Sequence, residues 1–103
     1  MDRLADLAKV LRSKNSGPFE LTLDVLFADA AAYERVKRSG AITREAVARL
    51  YRLDPAEITQ LVFFDSALGV KITFNRRVSS GTAGDRDVYG AQQHAPLMRL
   101  QIP

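Results

Sequence analysis

Residues 19–27 read FELTLDVLF, with Phe19, Leu21, Leu23, Val25 and Phe27 alternating with Glu20, Thr22, Asp24 and Leu26. Side chains two apart share one side of a strand, so this alternation predicts a strand with one face in a core and Asp24 on the other. A sheet must therefore exist, and the neighbouring segments are read for what pairs with this strand and what covers it.

Upstream lies a turn-forming run, Asn15, Ser16, Gly17 and Pro18. The segment before it has two readings. Leu4, Leu7, Ala8 and Leu11 recur at helical spacing after Asp2, a suitable cap, which predicts a short amphipathic helix over residues 3–12. Alternatively, Ala8 to Lys14 forms a strand that the turn folds back onto residues 19–27.

Downstream, Asp29 is placed to cap a helix through AAAYERVKRS, with Lys37 and Arg38 in the last turn and Gly40 suited to a left-handed stop. Thr43 caps a second helix, REAVARLYRL, whose apolar face is Ala46, Val47, Leu50 and Tyr51, and Asp54-Pro55 marks a break or a new first turn. The two predict a helical hairpin. ITQLVFF (58–64) and GVKITFN (69–75) are rich in β-branched and aromatic residues and predict two adjacent antiparallel strands around DSAL. SSGTAGD reads as a loop, VYGAQQHAPL has no clear period, and MRLQI (98–102) reads as a short closing strand. The sum is a single domain over 1–103 of the α+β class: a small, mostly antiparallel sheet with two or three helices packed on one face. Strand order is not legible.

The chain has 103 residues, 47% of them hydrophobic and 26% charged, enough for one modest core. With no cysteine there are no disulfides, thiolate metal sites or cysteine nucleophiles. The net charge of +3, from 15 basic and 12 acidic residues, is small and scattered, which argues against nucleic acid as a partner. No run approaches the roughly 20 apolar residues of a membrane span, and the start carries no signal-like apolar core, so a cytoplasmic location is expected.

Two polar stretches carry candidate chemistry. Arg12, Ser13, Lys14 and Asn15 place a guanidinium fork, a hydroxyl, an ammonium and a carboxamide in a row suited to a carboxylate or phosphate. A solvated turn explains the same residues. GDRDVYGAQQHAPL (84–97) holds Asp85, Asp87, Tyr89, Gln92, Gln93 and the only histidine, His94. An unperturbed imidazole titrates near neutrality, so His94 is a candidate general acid or base, with Asp87, seven residues before it, as a second catalytic candidate and Tyr89, Gln92 and Gln93 as orienting groups. Asp85, Asp87 and His94, joined by Asp65, match no metal-ligand spacing, and no metal is assigned. GTAGD lacks the lysine and hydroxyl of a nucleotide-binding loop. TREAVARLYRLDPAEI (43–58) is similar to the start of a DNA-binding helix-turn-helix, but a β-prone run occupies the place of the recognition helix. Tyr33 and Tyr51 lie at core spacing, as packing residues.

RSKNSGPFELTLD (12–24), FDSALGVKITFNR (64–76) and GDRDVYGAQQHAPL together resemble a small family described as a domain of unknown function. Its members are similar to stand-alone proteins of this size or to a C-terminal extension of AtuA-type proteins of acyclic terpene utilisation; Ser16 departs from the family's alanine. The resemblance implies a partner, an AtuA-like large subunit, and an anionic small-molecule or CoA-thioester substrate. The expectation is therefore the small subunit of a hetero-oligomeric catabolic enzyme, with hydratase, isomerase or lyase chemistry and no cofactor identified. Two other readings stay open: a non-catalytic interaction module that stabilises or regulates the large protein, and a stand-alone homo-oligomer that binds a carboxylate.

Overall fold

A computed structural model describes residues 2–17, 19–75 and 95–103. In chain order the elements are β1 (Asp2–Arg3), α1 (Leu4–Leu7), β2 (Ala8–Gly17), β3 (Glu20–Phe27), α2 (Ala30–Ser39), α3 (Arg44–Tyr51), a 3-10 turn at Pro55–Glu57, β4 (Ile58–Phe64), a second at Asp65–Ala67, β5 (Gly69–Asn75), α4 (Ala95–Met98) and β6 (Gln101–Ile102). The architecture is α+β. β2, β3, β5 and β4 form an antiparallel sheet in that order, and β1 pairs with β6 in a separate two-stranded ribbon.

The alternation in β3 sets the two faces of the larger sheet. Leu21, Leu23 and Val25 are buried, and their cross-strand partners in β5, Phe74, Ile72 and Val70, are buried with them. On this face the helices contribute Tyr33 and Val36 from α2 and Val47 and Ala48 from α3. Tyr33 packs between Phe27 and Phe63, with ring centroids 6.1 and 6.3 Å apart, and Tyr51 lies 5.0 Å from Phe74. Leu4, Leu97 and Ile102 complete the same core from both ends of the chain.

Local chemistry explains where the helices start and stop. Asp29 accepts the Ala32 amide at 2.8 Å and Thr43 Oγ1 the Ala46 amide at 3.1 Å, each taking up an amide that a helix start leaves unbonded. Gly40 ends α2 at φ 70°, in the left-handed region that suits glycine. Asp54 Oδ1 accepts the Ala56 amide at 2.9 Å, and Pro55 opens a new short turn.

Three expectations are corrected. The helix predicted over residues 3–12 is confined to Leu4–Leu7, and the strand alternative prevails from Ala8 through Gly17. Pairing with β3 satisfies the backbone of β2 while Leu7, Ala8 and Leu11 still pack on the core, so the helical spacing of the leucines serves a different conformation. The closing strand read at 98–102 is limited to Gln101–Ile102; Ala95–Met98 is helical, with Pro96 early in the turn, where its missing amide is tolerated. Phe19, expected on the core face, precedes β3 and is 56% exposed. Among the described residues, no helix is long and apolar enough to cross a membrane.

Candidate functional site

Conversion of residues 8–17 to a strand rearranges the Arg12–Asn15 row. In the β2/β3 register Arg12 pairs with Asp24 and Lys14 with Thr22, whereas Ser13 pairs with Leu23 and Asn15 with Leu21. Directly opposed residues share a face of the sheet. Arg12 and Lys14 therefore stand on the face away from the helices, while Ser13 occupies a register position on the core face, as does Asn15. Ser13 therefore does not join the two cations, which share a surface, about 6.5 Å apart along the strand.

That outer face is polar at its centre. Its rows run Arg12, Asp24, Lys71, Val62 and Lys14, Thr22, Thr73, Gln60, with Val10, Leu26, Gly69 and Phe64 beyond. Thr22 and Thr73 are buried beneath the longer side chains, with their hydroxyls 3.2 Å apart, and Thr73 Oγ1 donates to Gln60 Oε1 at 3.3 Å. Arg12 Nε lies 3.5 Å from Asp24 Oδ2, a long contact that leaves the Arg12 side chain 60% exposed. Lys14 is exposed and has no hydrogen bond or ion pair to another described residue. The cations Arg12, Lys14 and Lys71 thus face two carboxylates, Asp24 and Glu20, across a hydroxyl-lined surface.

Asp85, Asp87, Tyr89, Gln92, Gln93 and His94 lie outside the described residues. Among the described residues no three histidine, aspartate or glutamate side chains gather as a metal site. Asp65 is engaged otherwise.

A second polar cluster at the other end of the sheet was not anticipated. Asp65 Oδ1 accepts the Tyr33 hydroxyl at 2.5 Å and the Lys37 ammonium at 2.8 Å, and the ammonium sits 5.8 Å from the centre of the Tyr33 ring. Burial, reinforced by the hydrogen bond to Asp65, pushes the Tyr33 phenol up to about 12. Hydrogen bonds from Lys37 and Tyr33 hold Asp65 below the usual carboxylate range, and Asp65 in turn raises Lys37. Through these hydrogen bonds the cluster ties α2 to the β4–β5 connection. Tyr33 and Lys37, four apart on α2, were the legible half of it; nothing local to Asp65 announced the other half.

A family model described as Domain of unknown function (DUF4387) matches residues 4–101. No curated protein and no solved structure matches the chain.

Proposed function

The chain belongs to the DUF4387 family, and from that membership we propose that it is the small subunit of a hetero-oligomeric catabolic enzyme, binding the anionic group of a carboxylate or acyl-CoA substrate. The large subunit is an AtuA-like protein, as the resemblance of the three quoted segments implies. The observation that carries the binding role is the common face of Arg12 and Lys14: a guanidinium fork and a mobile ammonium, both exposed, two residues apart on an edge strand. That pairing suits a phosphate or carboxylate, with the fork fixing orientation and the ammonium adding charge. Ser13, at a register position on the other face, has no part in it.

On sequence chemistry alone, His94 with Asp87 supplies proton transfer, and Tyr89, Gln92 and Gln93 orient the substrate. Hydratase, isomerase or lyase chemistry needs such a proton-transfer pair and an anchored anion.

The test is co-expression with an AtuA-like chain, affinity capture through a tag on this chain, and binding of free coenzyme A to the purified product. A stoichiometric complex that binds coenzyme A, and loses at least tenfold in affinity in Arg12→Ala/Lys14→Ala, is the expected result. Arg12 is 60% exposed, but Asp24 is only 18% exposed; their contact is long at 3.5 Å and contributes at most about 1 kcal/mol, so the double variant is expected to stay folded, as an unchanged circular dichroism spectrum would show, and its loss then reports on binding. Failure of the two chains to co-purify overturns the subunit role; unchanged affinity in the double variant overturns the anion site.

A further inference from the structure

The larger sheet has two edges, and their chemistry differs. β2 carries Lys9, Arg12 and Lys14 and its register shifts twice, between Ala8 and Val10 and between Asn15 and Gly17. Lysines, arginines and bulges are what keep an open edge from pairing with another chain. β4, at the other edge, has none of these charges: ITQLVFF is uncharged throughout. Its register shift lies between Ile58 and Gln60, which leaves Gln60–Phe64 as a regular run. Among the described residues no strand pairs with its outer side. Leu61, Val62 and Phe63 are half-buried, and Phe64 remains 42% exposed.

We propose that the β4 edge is a homodimer interface, in which Gln60–Phe64 pairs antiparallel with the same residues of a second copy about a two-fold axis at Val62. The occupant follows from charge and register. An antiparallel pair about a two-fold axis sets each residue opposite its reciprocal, so a charged edge meets its own charge. Two copies of β2 would oppose cations at close range; two copies of β4 oppose none. The midpoint of the regular run is Val62, and a two-fold axis there sets Val62 against Val62, Leu61 against Phe63, and Gln60 against Phe64. Leu61 and Phe63 share the face that carries the helices, where Phe63 already packs on Tyr33. Val62, Phe64 and Gln60 share the outer face, so the exposed Phe64 ring gains the aliphatic stem of a glutamine. The product is a continuous eight-stranded sheet with the helices of both copies on one side. Its far edges are the two β2 strands, so the interface is separate from the Arg12–Lys14 surface.

A contact of five residues per chain is small against the roughly 800 Å² per partner of a standard stable interface, which places the dimer in the micromolar range. Sedimentation velocity on the full chain from about 1 to 500 µM tests this, on the scale set by that class of interface. The 11.4 kDa chain is expected to shift to twice that mass with rising concentration. Val62→Lys sets two ammonium groups opposite one another and is expected to weaken dimerisation at least tenfold, with an unchanged circular dichroism spectrum. Val62→Cys gives a complementary reading that does not depend on a destabilising charge. The chain has no other thiol, and directly opposed antiparallel residues lie within disulfide range, so mild oxidation is expected to yield a covalent dimer. Lys14→Cys, on the other edge, is expected to give no covalent dimer under the same oxidation. A chain that remains monomeric at 500 µM overturns the proposal, as does cross-linking through position 14 in preference to position 62.

Discussion

Tyr33 donates its hydroxyl to Asp65 Oδ1 over 2.5 Å, joining two residues 32 positions apart. The ring belongs to the core, packed between Phe27 and Phe63, while the Asp65 carboxylate is 71% exposed and also holds Lys37. Removing the hydroxyl leaves no buried group without a partner, because Asp65 keeps Lys37 and water. Tyr33→Phe is therefore expected to lose about 1 kcal/mol, the ordinary net worth of one hydrogen bond. Urea unfolding at pH 7 checks it, and a loss above about 3 kcal/mol shows that the ring itself has been displaced.

The same cluster makes stability depend on pH at both extremes. Burial, then the hydrogen bond to Asp65, raises the Tyr33 phenol from 10 to about 12, so the fold binds that proton more tightly than the unfolded chain does. Its contribution is complete below pH 10 and is lost as pH rises from 10 to 12. Lys37 acts in the same sense, being raised by its hydrogen bond to Asp65, and its contribution falls away above its ordinary 10.5. Asp65 acts oppositely. Its lowered pKa gives stability that is present above the unfolded carboxylate value near 4 and lost as pH falls through the folded one. Urea midpoints at pH 9 and pH 11 are expected to differ less in Tyr33→Phe than in the unsubstituted chain. Some alkaline loss persists in that variant, because burial also raises the phenol of Tyr51.

Gly69 and Gly40 separate two reasons for a glycine. A Cβ at Gly69 would stand 2.6 Å from Leu26 Cδ2 and 2.9 Å from the Val25 carbonyl oxygen, inside the contact between β3 and β5. The leucine can turn aside and the carbonyl, held in the ladder, cannot. At Gly40 a Cβ meets nothing within 4 Å, and the penalty comes from φ 70° alone. Gly69→Ala is expected to cost about 1–3 kcal/mol through strand displacement, and Gly40→Ala about 1 kcal/mol through backbone strain. Asparagine distinguishes them in chemical denaturation: it recovers part of the loss at position 40, where it tolerates the left-handed region, and none at position 69.

Much of this fold was legible because periodicity and caps are local. The alternation from Leu21 to Phe27, the Asp29 and Thr43 caps and the Gly40 stop all report on residues within a few positions of themselves. Residues 3–12 were ambiguous for a physical reason. Leu4, Leu7, Ala8 and Leu11 fit a helix face, but Leu7, Ala8 and Leu11 reach the core equally well from a strand once β3 offers a backbone partner. That choice also determined the candidate site, since a strand puts Arg12 and Lys14 together and sends Ser13 to the opposite face. Asp65 was legible as a carboxylate and not as the partner of Tyr33, because its role depends on how α2 lies across the sheet.

Arg35 makes the last dependence of this kind. Its guanidinium bonds Asp2 Oδ2 at 2.8 Å, the Pro103 main-chain oxygen at 3.1 Å and the Ile102 carbonyl at 3.4 Å, so one side chain of α2 holds both strands of the β1–β6 ribbon. Arg35 and Asp2 are 38% and 50% exposed, so the ion pair itself adds little, and the fork's value lies in fixing two strands of two residues each. Such short strands have too few backbone bonds to persist alone. Arg35→Ala is expected to speed hydrogen exchange at the Leu4 amide, which bonds Leu100 O at 2.8 Å, by about tenfold, with little change in β3 and β5. Arg35→Lys is expected to restore only part of that protection, since a single ammonium reaches Asp2 without spanning both main-chain oxygens. Equal protection at Leu4 in all three proteins would show that the buried side chains of Leu4, Leu97 and Ile102 hold the ribbon without the clasp.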